Sequence, residues 1–192
     1  MKRSILAIGI IFVFVVVISA QKTNDAIAKQ IKSLKADKQI TLTYDSSSNT
    51  SKINATASNF ESKEAKAAGI EAMNFGMAFF YPGKKLTAAP AKIKLTFCVL
   101  SQKPRFADAH GLLIFGFGEA GGGKFADSHY VSNPSENMEH LNFELTWEEL
   151  SELVFGWDRA QHFRLGSANF TFTSEHRALL RNLLAISDPA TN

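Results

Sequence analysis

The spacing of apolar and polar residues divides the chain into a run of short elements. Ile27, Ile31 and Leu34 recur at i, i+4 and i+7, which predicts a helix over Thr23 to Ala36 with Thr23 or Asn24 as its N-cap. After Lys38 the period falls to two. Ile40, Leu42 and Tyr44 alternate with threonines, a strand pattern, and Asp45-Ser-Ser-Ser-Asn-Thr is a turn. Lys52 to Phe60 continues the alternation through Ile53, Ala55 and Ala57. Glu61 to Ala68 reads as a short surface helix or a loop. Ile70 to Tyr81 is a long strand stopped by Pro82-Gly83. Lys84 to Pro90 is expected to be a linking loop. Ala91 to Leu100 is the clearest strand: Ile93, Leu95, Phe97 and Val99 face one way, and Lys92, Lys94, Thr96 and Cys98 the other. A face that is apolar on one side and wet on the other belongs to an antiparallel sheet.

Further strands are predicted at Leu112 to Phe117, Phe125 to Val131 and His140 to Leu145, with Glu119 to Lys124 as a glycine-rich connection. Thr146-Trp-Glu-Glu149 is a capping box opening a short helix with Trp147, Leu150 and Val154, ended by Gly156. Gln161 to Leu165 and Asn169 to Thr173 flank Gly166-Ser167 as a hairpin. Thr173 or Ser174 then caps a last helix with the stripe Ala178, Leu179, Leu183 and Ile186. The middle strands follow one another without helices of crossover length, so parallel winding is disfavoured. The expected fold is α+β: a mostly antiparallel sheet or small sandwich with a C-terminal helix–hairpin–helix unit.

The first twenty residues stand apart. Lys2 and Arg3 precede an apolar run from Ile5 to Val17, and Ala20 is a small residue suited to a cleavage site. This reads as a signal peptide over residues 1–20, removed before Gln21. An uncleaved anchor is the rival, but the 16 residues from Ile5 to Ala20 fall short of the roughly 20 that span a bilayer. The expected organisation is a signal peptide at 1–20, a helical arm at 21–38 that either packs on the domain edge or is loosely ordered, and one α+β domain at 39–192. No membrane span is expected in the mature chain. The expected location is the periplasm or the outside of the cell.

Export changes the charge balance. Without Lys2 and Arg3 the 21 Lys and Arg fall to 19 against 18 Asp and Glu, a net charge of +1. No nucleic-acid partner is expected. The balance is uneven: Gln21 to Arg105 holds 14 basic and 6 acidic side chains, and Phe106 to Asn192 holds 5 and 12. Mutual neutralisation of the two halves is the simpler reading; a two-faced surface that meets a protein or envelope partner is the sharper one.

Phe79-Phe80-Tyr81-Pro82-Gly83, the Ile93-Lys94-Leu95-Thr96-Phe97 strand, Phe143-Glu-Leu-Thr-Trp-Glu-Glu-Leu, Phe163-Arg-Leu-Gly and Phe170-Thr-Phe-Thr-Ser-Glu form a pattern. Over roughly Gln39 to Ile186 it resembles small exported bacterial domains with no assigned biochemical role. The resemblance implies export and carries over no site residues.

Candidate chemistry is sparse. Gly116 to Gly121 matches GxGxxG and Gly118 to Lys124 matches GxxxxGK, but Phe125 replaces the Ser or Thr of a phosphate loop and no helix is predicted after it. The single cysteine excludes an intrachain disulfide. Cys98, with lysines and threonine as strand neighbours, reads as a small inert residue. Four carboxylate–histidine pairs occur: Asp108 with His110, Asp127 with His129, Glu139 with His140 and Glu175 with His176. Asp127 and His129 share one strand face, and His140, Asn142 and Glu144 share another. Pairing of those strands would let Asp127, His129, His140 and Glu144 approach as metal ligands. No catalytic residue and no cofactor are assigned. Sixteen phenylalanines against three tyrosines and two tryptophans favour a core over a sugar-binding surface, and Phe79-Phe80-Tyr81 is expected to be buried on both sides, with an exposed patch for a partner as the alternative. The leading reading is an exported non-enzymatic binding or envelope-associated domain. The alternative is an exported hydrolase or metal-binding protein using the His and acid residues of 127–144.

Overall fold

The computed structural model describes residues 21–57, 60, 63–67, 69–106, 112–115, 122–135, 137–155, 162–166 and 168–190. The signal segment, the Asp108–His110 pair, Gly116 to Gly121 and Gly156 lie outside the described residues.

Twelve strands and four helices are described: β1 (Lys22–Thr23), α1 (Asn24–Ser33), β2 (Ile40–Asp45), β3 (Thr50–Thr56), α2 (Lys63–Ala67), β4 (Ile70–Pro82), β5 (Lys85–Leu86), β6 (Ile93–Ser101), β7 (Leu112–Phe115), β8 (Gly122–Phe125), β9 (Ser128–Asn133), β10 (Met138–Leu145), α3 (Trp147–Phe155), β11 (His162–Leu165), β12 (Ala168–Thr171) and α4 (Ser174–Ser187). They build a six-stranded sheet of order β2-β3-β4-β6-β10-β9, a four-stranded sheet of order β12-β11-β7-β8 and the small pair β1-β5. Every described pairing is antiparallel. The molecule is α+β with a mostly antiparallel sheet and a C-terminal helix.

The large sheet has two unlike faces because its strands alternate. β4 turns Met73, Phe75, Met77, Phe79 and Tyr81 inward, β6 turns Ile93, Leu95, Phe97 and Val99 inward, and β10 turns Leu141, Phe143 and Leu145 inward. Against this face pack the four-stranded sheet and the helices. Phe60, Phe75, Phe97, Phe163 and Phe172 form its centre, with ring centroids 4.6–6.2 Å apart in tilted and edge-on pairs. Such geometry suits aromatic quadrupoles. Leu179, Leu183 and Ile186 of α4 are buried here, as are Leu150 and Leu153 of α3.

Caps end the helices as their sequences dictate. Thr146 Oγ1 accepts from the Glu149 N–H at 3.1 Å, and Glu149 Oε2 accepts from the Thr146 N–H at 2.7 Å. The α4 box is different: Thr173 Oγ1 accepts from the His176 N–H, and His176 Nδ1 accepts from the Thr173 N–H. An imidazole replaces the usual carboxylate, which lets the capping residue be buried against Phe60, 4.1 Å away. In the hairpin turn Gly166 has φ +57, and a Cβ there would meet Phe106 at 3.0 Å. Glycine meets both demands.

Several expectations change. The linker Lys84 to Pro90 contains β5, which pairs with Lys22 and Thr23 at the start of the described chain. The glycine-rich connection ends in a strand, β8, paired with β7. Of the two placements open to the helical arm, the packed one is found: Ile27 and Ile31 are buried, and Asn24 joins Ser51 and Tyr81 in a hydrogen-bonded group. Phe80 is not buried; alternation sends Phe79 and Tyr81 inward and leaves Phe80 56% exposed, with Lys52 Nζ 5.6 Å from its ring centre. No described helix is long and apolar enough to cross a membrane.

Candidate functional site

The outer face of the large sheet differs from the inner in side-chain size. Down its middle run Ala72, Asn74, Gly76 and Ala78 of β4 beside Thr96 and Cys98 of β6. Most are half-buried, and Asn74 is exposed. The stripe ends near exposed Phe80 of the same strand, and exposed Tyr130 lies on the edge strand β9.

Cross-strand register assembles polar groups along it. Asn74, Cys98, His140 and Tyr130 are successive partners across β4, β6, β10 and β9. Tyr130 stacks on the His140 ring, with centroids 4.7 Å apart and planes at 6°. Ser132 Oγ lies 2.7 Å from His140 Nε2, and Cys98 Sγ lies 4.0 Å from the same nitrogen. Burial pushes the Cys98 thiol up and holds His140 below the usual imidazole range. Both shifts favour the neutral forms, which disfavours a thiolate–imidazolium nucleophile. One row along, Thr96 Oγ1 donates to Asn142 Oδ1 at 2.7 Å, and Asn142 Nδ2 donates to Ser128 Oγ at 2.9 Å.

The four candidate metal ligands are distributed over three places. β9 and β10 do pair, but His129 falls opposite Leu141 and His140 opposite Tyr130. That one-residue offset puts the two histidines on opposite faces. His129 turns inward, where its Nε2 lies 3.1 Å from Glu139 Oε1. Glu139 is fully buried and accepts the Arg105 and Phe106 N–H groups at 2.7 and 3.0 Å, so it anchors the turn after β6. Glu144 pairs with Lys92 at 2.8 Å near the surface. The Lys92 ammonium is raised first by the Glu144 hydrogen bond and charge, and less by Asp127. Among the described residues no group of three or more His, Cys, Asp or Glu side chains converges.

Cys98 beside His140 is the pairing that the sequence reading missed. The two residues are 42 positions apart, and only register makes them neighbours. The usable signal was the outward placement of both on alternating strands. Glu139 and His140 are neighbours in sequence but do not meet, because adjacent strand residues point to opposite faces: Glu139 meets His129 inside, and His140 meets Ser132 outside.

On the inner side, Met77, Leu95 and Leu153 line a gap of about 10 Å³, which is a packing defect on the scale of one water. No family model matches the chain, and no curated protein or solved structure matches it either.

Proposed function

We propose that this chain is an exported, non-enzymatic binding domain whose contact surface is the outer face of the six-stranded sheet. One observation carries the reading. The middle of that face is lined by half-buried Ala72, Gly76 and Ala78 with exposed Asn74 among them, while Phe80 and Tyr130 stand exposed beside it. A stripe of small residues with exposed aromatic rings beside it fits a macromolecular partner, because the aromatic rings supply contact area at low entropic cost. Export rests on the N-terminal pattern of basic, apolar and small residues, and on the resemblance to small exported bacterial domains. A protein or envelope component is the class of partner.

The test is site-specific photocrosslinking in cells of the source type. A photoreactive phenylalanine at Phe80 or Asn74 should trap one discrete partner. The same probe at Phe155, 72% exposed on α3, should not. Equal trapping from Phe155 and Phe80, or trapping from Phe155 alone, overturns the assignment of the face. Intact mass of the exported protein should correspond to a chain starting at Gln21; a full-length mass in the membrane fraction overturns cleavage.

A further inference from the structure

We propose that Gln21 is a modification site: as the first residue of the exported chain it closes on itself to pyroglutamate, and the ring blocks the free end beside the buried Lys22. The inference rests on the export reading, in which cleavage after Ala20 leaves Gln21 first.

The fold sets Gln21 apart from the residues that follow it. Lys22 pairs with Leu86, and Thr23 with Lys85, in the β1-β5 pair. Lys22 is 2% exposed, and its Nζ donates to Gln30 Oε1, Ala185 O and Ile186 O. Thr23 caps α1 by accepting from the Ala26 N–H at 3.2 Å. Gln21 is exposed and precedes the first paired residue. The ring can therefore form without withdrawing a side chain from the core or breaking a strand pair.

In a first-position glutamine the α-amine and the side-chain amide belong to one residue, so the reaction is intramolecular and gains from proximity. The amine nitrogen attacks Cδ. The N–Cδ bond forms, the Cδ–Nε2 bond breaks, and a five-membered lactam closes. Nε2 leaves as ammonia, carrying its own two hydrogens and one from the amine. No oxidant, reductant or second reactant enters. The neutral amine is the nucleophile, and an α-amino group with a pKa of about 7.7–8.0 supplies it near neutral pH. The lactam nitrogen carries no charge, so the modified end is neutral.

The location gives the ring a protective role. Gln21 alone stands between the free end and Lys22, whose ammonium joins α1 to the last turn of α4. Stepwise exopeptidases need a free α-amine, and their second cut would remove Lys22. The carbonyls at the end of α4 would then lose that donor. A lactam at Gln21 stops the first cut.

The experiment exports the full chain from a bacterial host. It then records the intact mass and fragments the N-terminal peptide, before and after incubation for days at neutral pH. The chain should start at Gln21, be lighter by one ammonia and be silent in N-terminal sequencing, which needs a free amine. Pyroglutamyl peptidase should remove the ring and restore a sequencing signal that begins at Lys22. Gln21→Ser, which cannot close a lactam, should show the full mass of its chain. A broad-specificity aminopeptidase should remove its first residue and leave the wild type intact. A chain that starts at Gln21 but keeps its full mass after incubation overturns the proposal and leaves the export reading standing. A chain that starts elsewhere, or retains residues 1–20, overturns the export reading and the proposal with it. Equal resistance of Gln21→Ser and wild type to the aminopeptidase overturns the protective role.

Discussion

Asp45 illustrates how far a single exposed side chain can be shaped by its own turn. Its carboxylate accepts from Ser47 Oγ at 2.6 Å, from the Ser47 N–H at 2.9 Å and from Ser48 Oγ at 2.8 Å. These bonds, the Ser47 hydroxyl foremost, lower its pKa to about 2. A depressed carboxylate contributes stability above its unfolded pKa, and that contribution is lost as pH falls through the folded value. The turn should therefore hold to about pH 2. A carboxyl titration by NMR should show that midpoint, and Ser47→Ala should move it upward. Cys98 shifts the other way for a different reason. Burial disfavours its thiolate, so iodoacetamide should label it slowly at neutral pH, with a rate still rising beyond the ordinary thiol value of 9.0. A plateau below that value would contradict the environment described for the sheet face.

Among the elements, the two C-terminal helices contrast a cap with a core contact. Thr146→Ala removes one acceptor at the start of α3, where the site is exposed, and should cost about 1 kcal/mol. Leu183 on α4 is fully buried, and Leu183→Ala should cost about 2–5 kcal/mol. Equilibrium denaturation of the two variants should show the second midpoint far below the first. An unchanged midpoint for Leu183→Ala would mean that α4 is not docked on the sheet. The same contrast explains why α1 is part of the fold although it is lysine-rich. Ile27 and Ile31 are buried, while Lys29 and Lys32 point away from the core.

At the scale of the molecule, the start and end of the described fold are joined. Lys22 is almost wholly buried, and its Nζ donates to Ala185 O at 3.1 Å, Ile186 O at 3.4 Å and Gln30 Oε1 at 3.0 Å. A helix C-terminus leaves carbonyls without intrahelical donors, and an ammonium group satisfies them with favourable charge. Burial lowers the Lys22 pKa, and the Asp188 charge opposes that shift. Lys22→Ala should cost about 1.5–3 kcal/mol, the range for hydrogen bonds to a charged group. Amide exchange should quicken both in α1 and in the last turn of α4. Faster exchange in α1 alone would show that the link does not carry between the ends of the chain.

The alternation of apolar residues marked the long strands β2, β3, β4, β6 and β10 and the face each one buries, because the period of two is a property of the strand itself. Thr146 with Glu149, and Thr173, marked their helix starts for an equally local reason: a cap bonds to residues within one turn. Register, strand order and covering were decided in three dimensions. Lys22–Thr23 became a strand because Lys85–Leu86 lay beside it, and Gly122–Phe125 because Leu112–Phe115 did. Neither has enough side-chain pattern to announce itself. His129 and His140 parted to opposite faces through a one-residue offset, and Cys98 met His140 through an alignment of strands 42 residues apart. Such pairings depend on closing long loops around a common core, and the local chain carries no record of which residue will stand opposite.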